Sequence, residues 1–530
     1  MPEFEVTALD IGILLSYVLL SRVFFGWYYA RKTKGEGSEG YFLAGRSLRW
    51  PIIGLSFYVA NMSGGSFIGL PSAGYEHGIA VYLYEIVPAF VLIAFVFIFL
   101  PLFLDAKVFT SAEFLQKRYG SRLRITFSGF MMVESVIVDA TISLYAGAKI
   151  MELLFPEIPT SLTIAAAALV AGIYISFGGL GAVVINDALQ ATLIIVGGIL
   201  TLWLAWQAIP SWDAVVEASP DGALHLFQPA DDAQLPWPGI FTGLLVLVFY
   251  DWCMNQFYIQ RALGAKSLDH GRWGSLMAGF MKLPNLFILI LPGVMAVVLY
   301  QELKEPDLVF PTLVFDLLPI GLRGLMLAAI AAAILSSLES ILNSASTLLT
   351  MDFIRPLRPE TSDTALARTG RIATIGLMLV AAAWAPVVTS FPTLWEYLQS
   401  ILSYLVPPVA AIFLLGIFWR RANEAGALTA LVVAVPLGIV GWVLVELLEL
   451  FSIQFLYVAG IQFVFGCLLL IAGSLLTAPP PEEKVAKHTF RREIVERDRK
   501  HLAGLPWYQD HRVLSGILAV SATGFLVWWW

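Results

Sequence analysis

Long apolar runs separated by short polar segments dominate this sequence. A run of roughly 17 to 25 apolar residues crosses the hydrocarbon layer of a bilayer as a helix, and a helix satisfies its own backbone hydrogen bonds there. The pattern predicts fourteen spans, at residues 9–30, 48–70, 79–104, 125–149, 160–178, 186–209, 238–259, 273–300, 312–350, 370–388, 394–419, 424–445, 451–476 and 512–530. The sequence therefore predicts an all-α polytopic membrane protein.

Basic residues distinguish the two sides of the predicted membrane. The first run follows an acidic start, MPEFEVTALD, without a basic segment or a small-residue cleavage site, so we expect a retained helix with its N-terminus outside. Alternation from that start puts a single basic residue, Lys304, in the outer loops. The predicted inner loops carry Arg31, Lys32, Lys34, Arg46, Lys117, Arg118, Arg122, Arg124, Arg261, Lys266, Arg272, Arg355, Arg358, Arg368, Arg371, Arg420, Arg421 and the charged stretch 482–500. This asymmetry obeys the positive-inside rule and predicts both termini outside.

Composition excludes most classes of soluble protein. Apolar residues make up 58% of the chain and charged residues only 13%, about half of the roughly 25% that is usual. The net charge of −7 leaves no extended basic surface for nucleic acid. The longest segments outside the predicted spans, at 210–237 and 477–511, are too short for a catalytic domain. Function is therefore expected to reside among the helices.

Histidine and cysteine patterns argue against metal chemistry and against catalysis. The six histidines fall in loops or at span ends, and the sequence has no HExxH, CxxC or GxxxxGK[ST] motif. Cys253 and Cys467 lie in apolar stretches and are expected to be reduced core residues. We interpret the protein as not an enzyme. An intramembrane hydrolase with a core Ser or Asp nucleophile is the alternative that the residues leave open.

Ionisable residues inside the predicted spans are candidates for function, because each costs roughly 2.5 to 3.5 kcal/mol to insert. They are Glu85, Glu134, Asp139, Asp251, Lys282 and Glu339, and Asp187 begins a span. A charge near a helix end can instead reach the headgroups, which is the simpler interpretation for Glu134, Glu339 and Asp187. Glu85 and Lys282 are isolated in apolar surroundings, so we expect them to partner each other or a polar ligand within one cavity.

Small residues cluster in two of the spans. The segment ANMSGGSFIGL at 60–70 puts serines and glycines in the middle of the second span, where an interrupted helix would free carbonyl groups for an ion or substrate. The segment AAIAAAILSSLESILNSAS at 328–346 carries the pair Ser336 and Ser337 in the ninth span. Close helix packing through small residues is the alternative interpretation of both segments.

Six stretches carry a family pattern. They are ANMSGGSFIGLPSAGYEHGIA with the pair Tyr84 and Glu85, FGGLGAVVINDALQ at 177–190, DWCMNQFYIQRALGAKS at 251–267, the FMKLP to LPG stretch at 280–293, AAAILSSLESILNSASTLLTMD at 331–352, and YLQSILSYLVPPVAAIFLLGIFWRR at 397–421. In this order and spacing the chain resembles the sodium:solute symporter family, and within it the sodium/glucose cotransporter branch, over nearly its whole length.

The resemblance implies a LeuT-type fold, in which spans two to six and seven to eleven form two inverted repeats of five helices. The expected divisions are an N-terminal peripheral helix and inner loop at 1–47, the first repeat at 48–209, an outer loop at 210–237, the second repeat at 238–421, and C-terminal peripheral helices with an inner linker 477–511 at 422–530. Because five is odd, the second repeat must enter the membrane from the opposite side. The charge-derived topology permits that arrangement.

The resemblance also implies a sodium ion between the interrupted second span and the ninth span. Its ligands would be the main-chain carbonyls of Val59, Met62 and Ala333 and the hydroxyls of Ser336 and Ser337. Uncharged oxygen ligands suit a hard monovalent cation that must also be released. Asp187 matches an aspartate linked to ion coupling in relatives.

Sugar-site positions of the family fall on Asn61, Glu85, Lys282 and Gln399. A carboxylate accepts hydroxyl protons, an ammonium donates to hydroxyl oxygens and an amide does both. A transported sugar loses its hydration at the middle of the membrane, so each hydroxyl needs a replacement partner. These residue types therefore suit a polyol.

Three positions depart from the family pattern. Ser66 stands where sugar carriers have a larger Gln or His. Asp251 replaces an aromatic residue between Tyr250 and Trp252, which are of the expected type, and Asp139 occupies a polar position that faces the cavity in relatives. The two additional carboxylates leave open an amino sugar, another polyol or a cationic solute, and the binding of a proton or a second ion.

The resulting prediction is a sodium-coupled symporter that imports a glucose-like or galactose-like sugar, or a related polyol, by alternating access. Its expected partners are the sugar, sodium and the lipid bilayer, with the oligomeric state left open. The alternatives are a sodium symporter for an amino acid, an organic acid or an amine, and a channel or sensor that keeps the fold without coupled transport. Short loops and the lack of targeting signals favour a bacterial inner membrane.

Overall fold

The chain is helical throughout the part that the structure covers. The computed structural model describes residues 7–17, 40, 43–154, 157–301, 303, 305–390 and 394–529. Within these ranges the only β-type pairings are two isolated bridges. Most of the first predicted span, and the basic residues Arg31, Lys32, Lys34 and Lys304, lie outside the described residues.

The helices differ widely in length, and several continue into wider π-helical turns. The principal helices are α1 Ala8–Tyr17, α2 Trp50–Asn61, α3 Gly64–His77, α4 Leu83–Ala94, α5 Leu100–Ala106, α6 Ser111–Arg118, α7 Ser121–Glu134, α8 Thr141–Leu154, α9 Thr160–Ala208, α10 Trp212–Ala218, α11 Leu245–Cys253, α12 Gln256–Leu263, α13 Leu268–Lys282, α14 Leu291–Leu299, α15 Val309–Leu317, α16 Leu322–Leu348, α17 Asp363–Trp384, α18 Leu394–Leu405, α19 Pro407–Phe418, α20 Glu424–Thr429, α21 Val435–Trp442, α22 Phe455–Leu476, α23 Glu482–His488, α24 Arg492–Leu502 and α25 His511–Trp528. The π-helical turns are Phe95–Phe99, Ser135–Ala140, Ile240–Leu244, Leu286–Ile290, Leu349–Ile354, Ala430–Ala434 and Val443–Leu447.

The membrane-spanning character predicted from the sequence is present in the described residues. Nine helices there are long and apolar enough to cross a membrane, or eleven if each of two bent pairs forms one span. One pair bends by 44° between α11 and α12, and the other bends by 48° between α18 and α19. The predicted count of fourteen is not confirmed, partly because the second span is broken into two short helices, α2 and α3.

A second reason for the lower count is helix α9. It is one continuous helix of 49 residues, where the sequence predicts two spans at 160–178 and 186–209. The segment between them, GLGAVVI at 179–185, contains no proline, so nothing in it forces an interruption. At 1.5 Å per residue the helix is about 74 Å long, more than twice the roughly 30 Å of hydrocarbon. The predicted interruption between these two spans is absent from the helix, and the count of fourteen spans is not confirmed.

The broken α2–α3 segment lies at the centre of the bundle. Helix α2 contacts α9, α12, α13 and α16, and helix α3 contacts α8, α14, α15, α16 and α18. Small residues allow the close approach: a Cβ added at Gly293 of α14 would lie 2.1 Å from the carbonyl oxygen of Pro71 in α3. Both halves of the broken segment therefore touch α16, the helix that carries the two serines.

Three arginines that the topology argument counts as loop charges are buried instead. Arg118 and Arg272 are 0% exposed and Arg261 is 1% exposed. Arg118 donates to main-chain carbonyls, including that of Gly416 at 2.7 Å, and Arg272 donates to Asp498 at 3.1 Å. Their burial was not predicted from their loop positions, and protein acceptors take the place of water around each guanidinium.

Candidate solute and sodium site

The interruption predicted in the second span is present. Helix α2 ends at Asn61, Met62 has ψ 61°, and Ser63 is extended with φ −73° and ψ 173° before α3 begins at Gly64. The amide of Met62 donates to the carbonyl of Val59 at 2.9 Å. Two helices therefore meet end to end, and backbone carbonyls at the break can face a ligand instead of accepting helical hydrogen bonds.

A cavity of about 70 Å³ lies beside this break. Its wall includes eight of the ten predicted solute residues: Asn61, Ser66, Tyr84, Glu85, Asp139, Asp251, Trp252 and Gln399. Ser337, a predicted sodium ligand, also lines it. Residues from α2, α3, α4, α11, α16 and α18, which are distant in sequence, thus converge on one enclosed space.

Lys282 and Glu85 form a buried ion pair at this cavity. The Lys282 Nζ lies 2.6 Å from Glu85 Oε2, and the two residues are 0% and 3% exposed. The same Nζ donates to Asn61 Oδ1. Lys282, which the cavity wall itself does not include, therefore joins two predicted solute residues from α2 and α4.

Sequence reasoning missed a second layer of polar residues behind this pair. Asn285 Nδ2 donates to Glu85 Oε2 at 2.5 Å, and Asn285 Oδ1 accepts from the Tyr58 hydroxyl at 2.8 Å. Asn61 Nδ2 donates to the Tyr258 hydroxyl at 2.9 Å. The spacing of Asn285 from Lys282, three residues, puts both on one helical face and could have indicated it.

Aromatic rings form one wall of the cavity. The rings of Trp252 and Tyr258 stack with centroids 5.3 Å apart, and Lys282 Nζ lies 5.5 Å from the centroid of the Trp252 ring. Tyr250 points elsewhere, since its hydroxyl donates to Met131 Sδ at 3.3 Å and it is absent from the cavity lining. Of the predicted aromatic pair, the structure brings Trp252 alone to the cavity.

Tyr84 and Trp395 separate this cavity from a second one. Their rings meet edge to face with centroids 5.1 Å apart, and both also line a neighbouring cavity of about 170 Å³ beside the 210–237 loop. Within the described part of the chain, the buried Tyr84 hydroxyl has no hydrogen-bond partner. The two rings therefore form a thin partition on the path from that loop to the central cavity.

Two of the five predicted sodium ligands, Val59 and Met62, lie at the end of α2, and the other three lie on α16, which contacts both α2 and α3. Val59, Met62 and Ala333 are buried, and so are both serines. The Ser337 Oγ has no hydrogen-bond partner among the described residues and faces the cavity. The Ser336 hydroxyl donates to Asp187 Oδ1, which leaves its oxygen lone pairs free to accept.

Asp187 is held by a buried guanidinium. Arg261 Nη2 lies 3.1 Å from Asp187 Oδ2 and donates to Ser340 Oγ at 2.6 Å. Arg261 Nε donates to the Ser56 hydroxyl at 2.8 Å, and that hydroxyl donates to Asp187 at 2.5 Å. One arginine therefore ties α2, α9, α12 and α16 together directly beside Ser336.

Comparison with known proteins identifies relatives over nearly the full chain. The profile of the sodium:solute symporter family matches residues 41–434. The chain is 34% identical to sodium/myo-inositol cotransporter 2 of Oryctolagus cuniculus over 95% of this chain and 82% of that protein. It is 32% identical to sodium/glucose cotransporter 4 of Danio rerio over 95% of this chain and 84% of that protein.

Solved structures share the fold. A Na⁺-coupled sialic acid symporter in a substrate-bound outward-open state superposes with a TM-score of 0.75 at 20% identity, covering 89% of this chain and 99% of that chain. A nucleobase-cation-symport-1 family transporter gives a TM-score of 0.54 at 13% identity, over 83% of this chain and 95% of that chain. The profile match and the full-length relatives together place this chain in the sodium:solute symporter family, as a multi-pass membrane transporter rather than an enzyme.

Proposed function

We propose that this protein is a sodium-coupled symporter that imports a sugar or a related polyol by alternating access. The observation that carries the proposal is the buried Lys282–Glu85 pair, whose Glu85 lines, together with Asn61, a cavity beside an interrupted helix. A buried ion pair with further hydrogen bonds costs free energy in an apolar bundle, so we expect it to bind a polar ligand. The cotransporters of myo-inositol and glucose among the relatives support this class of solute.

The residues proposed to contact the solute are those predicted from the sequence, and Asn285 supports them from behind. Glu85 accepts hydroxyl protons, Lys282 donates to hydroxyl oxygens, and the amides of Asn61 and Gln399 do both. Ser66, Tyr84, Asp139, Asp251 and Trp252 line the same cavity, and Tyr250 is a predicted contact that the geometry leaves behind the wall. Asn285 acts as a positioning residue, because its amide fixes the carboxylate of Glu85.

The proposed sodium site uses the carbonyls of Val59, Met62 and Ala333 with the hydroxyls of Ser336 and Ser337. The predicted residues come from the two sides of the contact between the α2–α3 break and α16. Asp187 would act through Ser336: by accepting a hydrogen bond from the hydroxyl, it points the oxygen lone pairs away from itself. No nucleotide hydrolysis is required, because sodium and the membrane potential supply the driving force.

Coupling follows from chain connectivity. Met62, a proposed sodium ligand, is the residue after Asn61, which contacts Lys282 in the solute site. Sodium that fixes the break therefore fixes a solute contact, so the two ligands share one conformational equilibrium. One inward charge gains about 2.3 kcal/mol per 100 mV, and a tenfold sodium gradient adds about 1.4 kcal/mol.

We also propose the arrangement of the chain in the membrane. The two inverted repeats would span 48–209 and 238–421, between peripheral segments at 1–47 and 422–530, with 210–237 as an outer loop and 477–511 as an inner linker. The basic residues of the loops support an orientation with both termini outside. Residence in a bacterial inner membrane is supported by the short loops.

The proposal is tested by uptake into liposomes that contain the purified full-length protein. An inward sodium gradient should drive concentrative uptake of labelled glucose or myo-inositol, and an equal potassium gradient should not. Equal uptake in both gradients would contradict symport. Sodium-driven uptake of another solute, without competition from any sugar, would contradict the choice of cargo.

Replacing Ser337 by alanine should weaken sodium activation of that uptake. Ser337 is 2% exposed and its Oγ lacks a hydrogen-bond partner among the described residues, so its loss removes one proposed ligand without breaking an existing hydrogen bond. We expect the sodium concentration for half-maximal uptake to rise at least about tenfold, equivalent to about 1.4 kcal/mol. The matched control is Ser344→Ala on the same helix, since Ser344 is also buried with a partnerless hydroxyl. Equal effects of the two variants would contradict the assignment.

A further inference from the structure

The central cavity contains more carboxyl groups than the Lys282–Glu85 pair uses. Asp139 and Asp251 line it together with Glu85. The charge of Lys282 interacts with Asp251, but the Lys282 ammonium donates its hydrogen bonds to Glu85 and Asn61. Two carboxylates in the cavity wall are therefore left without a basic partner among the described residues.

A third carboxylate stands behind them. The π-helical turn Ser135–Ala140 follows α7 directly, and a π-helical turn repeats after about five residues rather than four. It therefore brings Glu134 and Asp139 toward one side of the helix. Glu134 is 2% exposed, and its charge acts on those of Asp139 and Asp251.

These carboxylates have unused hydrogen-bond acceptors. Among the described residues, Asp139 Oδ2 and Glu134 Oε1 are both buried without a hydrogen-bond partner. An acceptor left unsatisfied away from water costs free energy, and more when it is charged. A cationic group with several N–H donors would relieve this cost at two or more of them.

The arrangement of these carboxylates differs from a metal site made of acidic side chains. No cluster of three His, Cys, Asp or Glu side chains within the described ranges is close enough to hold a metal ion. A bare ion needs several ligands at about 2.3 to 2.6 Å, whereas an ammonium on a larger solute can reach separate carboxylates through its N–H groups. Asp139 and Asp251 therefore suit an ammonium group.

We propose that the preferred solute is an amine-bearing polyol, whose ammonium group binds between Asp139 and Asp251 while its hydroxyls occupy the Glu85, Lys282 and Gln399 side. This inference rests on the proposed sugar transport and narrows its substrate class. Asp139 and Asp251 are specificity-determining residues in this account. Glu134 places a third carboxyl group behind them.

The test uses three sugars with the same ring: glucose, glucosamine and N-acetylglucosamine. Each is titrated against the intact protein in sodium or potassium, and thermal stabilisation gives its apparent dissociation constant. In sodium we expect glucosamine to bind at least about tenfold more tightly than glucose. N-acetylglucosamine, which keeps the nitrogen without its charge, should lose that advantage.

Variants locate the source of the preference. In Asp139→Asn, Asp251→Asn and the double variant, the ratio of the glucose to the glucosamine dissociation constant should fall toward one. Asp213→Asn, which removes an exposed carboxylate, should keep the ratio of the intact protein. Each change keeps the side-chain shape, so the variants are expected to fold. The melting temperature without sugar verifies this.

Three results would overturn the inference. Equal binding of glucose and glucosamine by the intact protein is the first, and an unchanged ratio in the double variant is the second. An altered sodium dependence in Asp251→Asn with an unchanged sugar ratio is the third, because it would assign the carboxylates to an ion. If no sugar stabilises the protein in sodium, the proposed function itself is contradicted.

Discussion

Arg261→Gln is expected to destabilise the protein strongly and to weaken sodium binding. Asp187 is 0% exposed and Arg261 Nη2 is its charged partner at 3.1 Å. Removing one member of a buried ion pair leaves an uncompensated charge and costs roughly 3 to 5 kcal/mol. The orientation of the Ser336 hydroxyl depends on the same carboxylate. Thermal unfolding in detergent and sodium activation of uptake measure the two effects.

The double variant Arg261→Gln with Asp187→Asn separates stability from sodium binding. Removing both charges should restore much of the melting temperature. The stability losses of the two single variants should therefore add up to more than the loss in the double variant. Sodium affinity should remain low, because an amide is a weaker acceptor for the Ser336 hydroxyl than a carboxylate.

A second buried pair provides the matched control. Arg124 Nε donates to Asp352 Oδ1 at 2.9 Å, and Ser128 donates to Asp352 Oδ2 at 2.5 Å, which reproduces the arginine, aspartate and serine chemistry. Arg124→Gln should lower the melting temperature without changing the sodium requirement of the folded protein. A similar loss of sodium affinity in both single variants would contradict the role assigned to Arg261.

Lys282→Met is expected to abolish detectable solute binding. The ammonium makes hydrogen bonds to Glu85 and Asn61, and its removal leaves Glu85 buried without its cation. In the proposed site Lys282 and Glu85 each make a charged hydrogen bond to the solute, and such bonds contribute roughly 1.5 to 3 kcal/mol each. Losing the ammonium and the placement of Glu85 therefore predicts at least about a hundredfold weaker binding. The measurement is the sugar-dependent shift in melting temperature at saturating sodium.

Two further variants distinguish a lost contact from a lost fold. Glu85→Gln combined with Lys282→Met removes both charges, so stability should recover while solute binding stays absent. A lysine–glutamate pair also joins Lys149 Nζ to Glu305 Oε2 at 3.1 Å, but the Glu305 side chain is 43% exposed. Lys149→Met disrupts this pair. Exposed pairs contribute only about 0 to 1 kcal/mol, so this variant should bind sugar as the intact protein does. Sugar binding retained by the double variant would contradict the solute site.

Local chemistry made the broken helix and the ion pair predictable from the sequence. Serines and glycines in the middle of an apolar run weaken a helix wherever they occur, and the structure breaks at Met62 and Ser63. An acid and a base isolated in apolar spans each need a partner. The 2.6 Å contact of Lys282 with Glu85 meets that expectation.

Features that depend on long-range packing were not predictable in this way. Arg261 has the sequence context of a loop charge, and only the approach of α2, α9 and α16 provides its buried acceptors. The continuity of α9 likewise depends on neighbours, because its glycines permit both a turn and a helix. Tyr258 and Trp395 carried no polar pattern of their own. Their place beside the cavity follows from the packing of α12 and α18.

The central claim is that sodium at the α2–α3 break organises the solute site next to it. Calorimetry on the intact protein tests this directly, by titrating glucosamine and glucose in sodium and in potassium, and then titrating sodium with and without the better ligand. Linkage requires that sodium strengthen sugar binding by the same factor by which sugar strengthens sodium binding. We predict a shared factor of at least about ten, reduced toward one in Ser337→Ala. Sugar binding of equal strength in sodium and potassium would contradict the account.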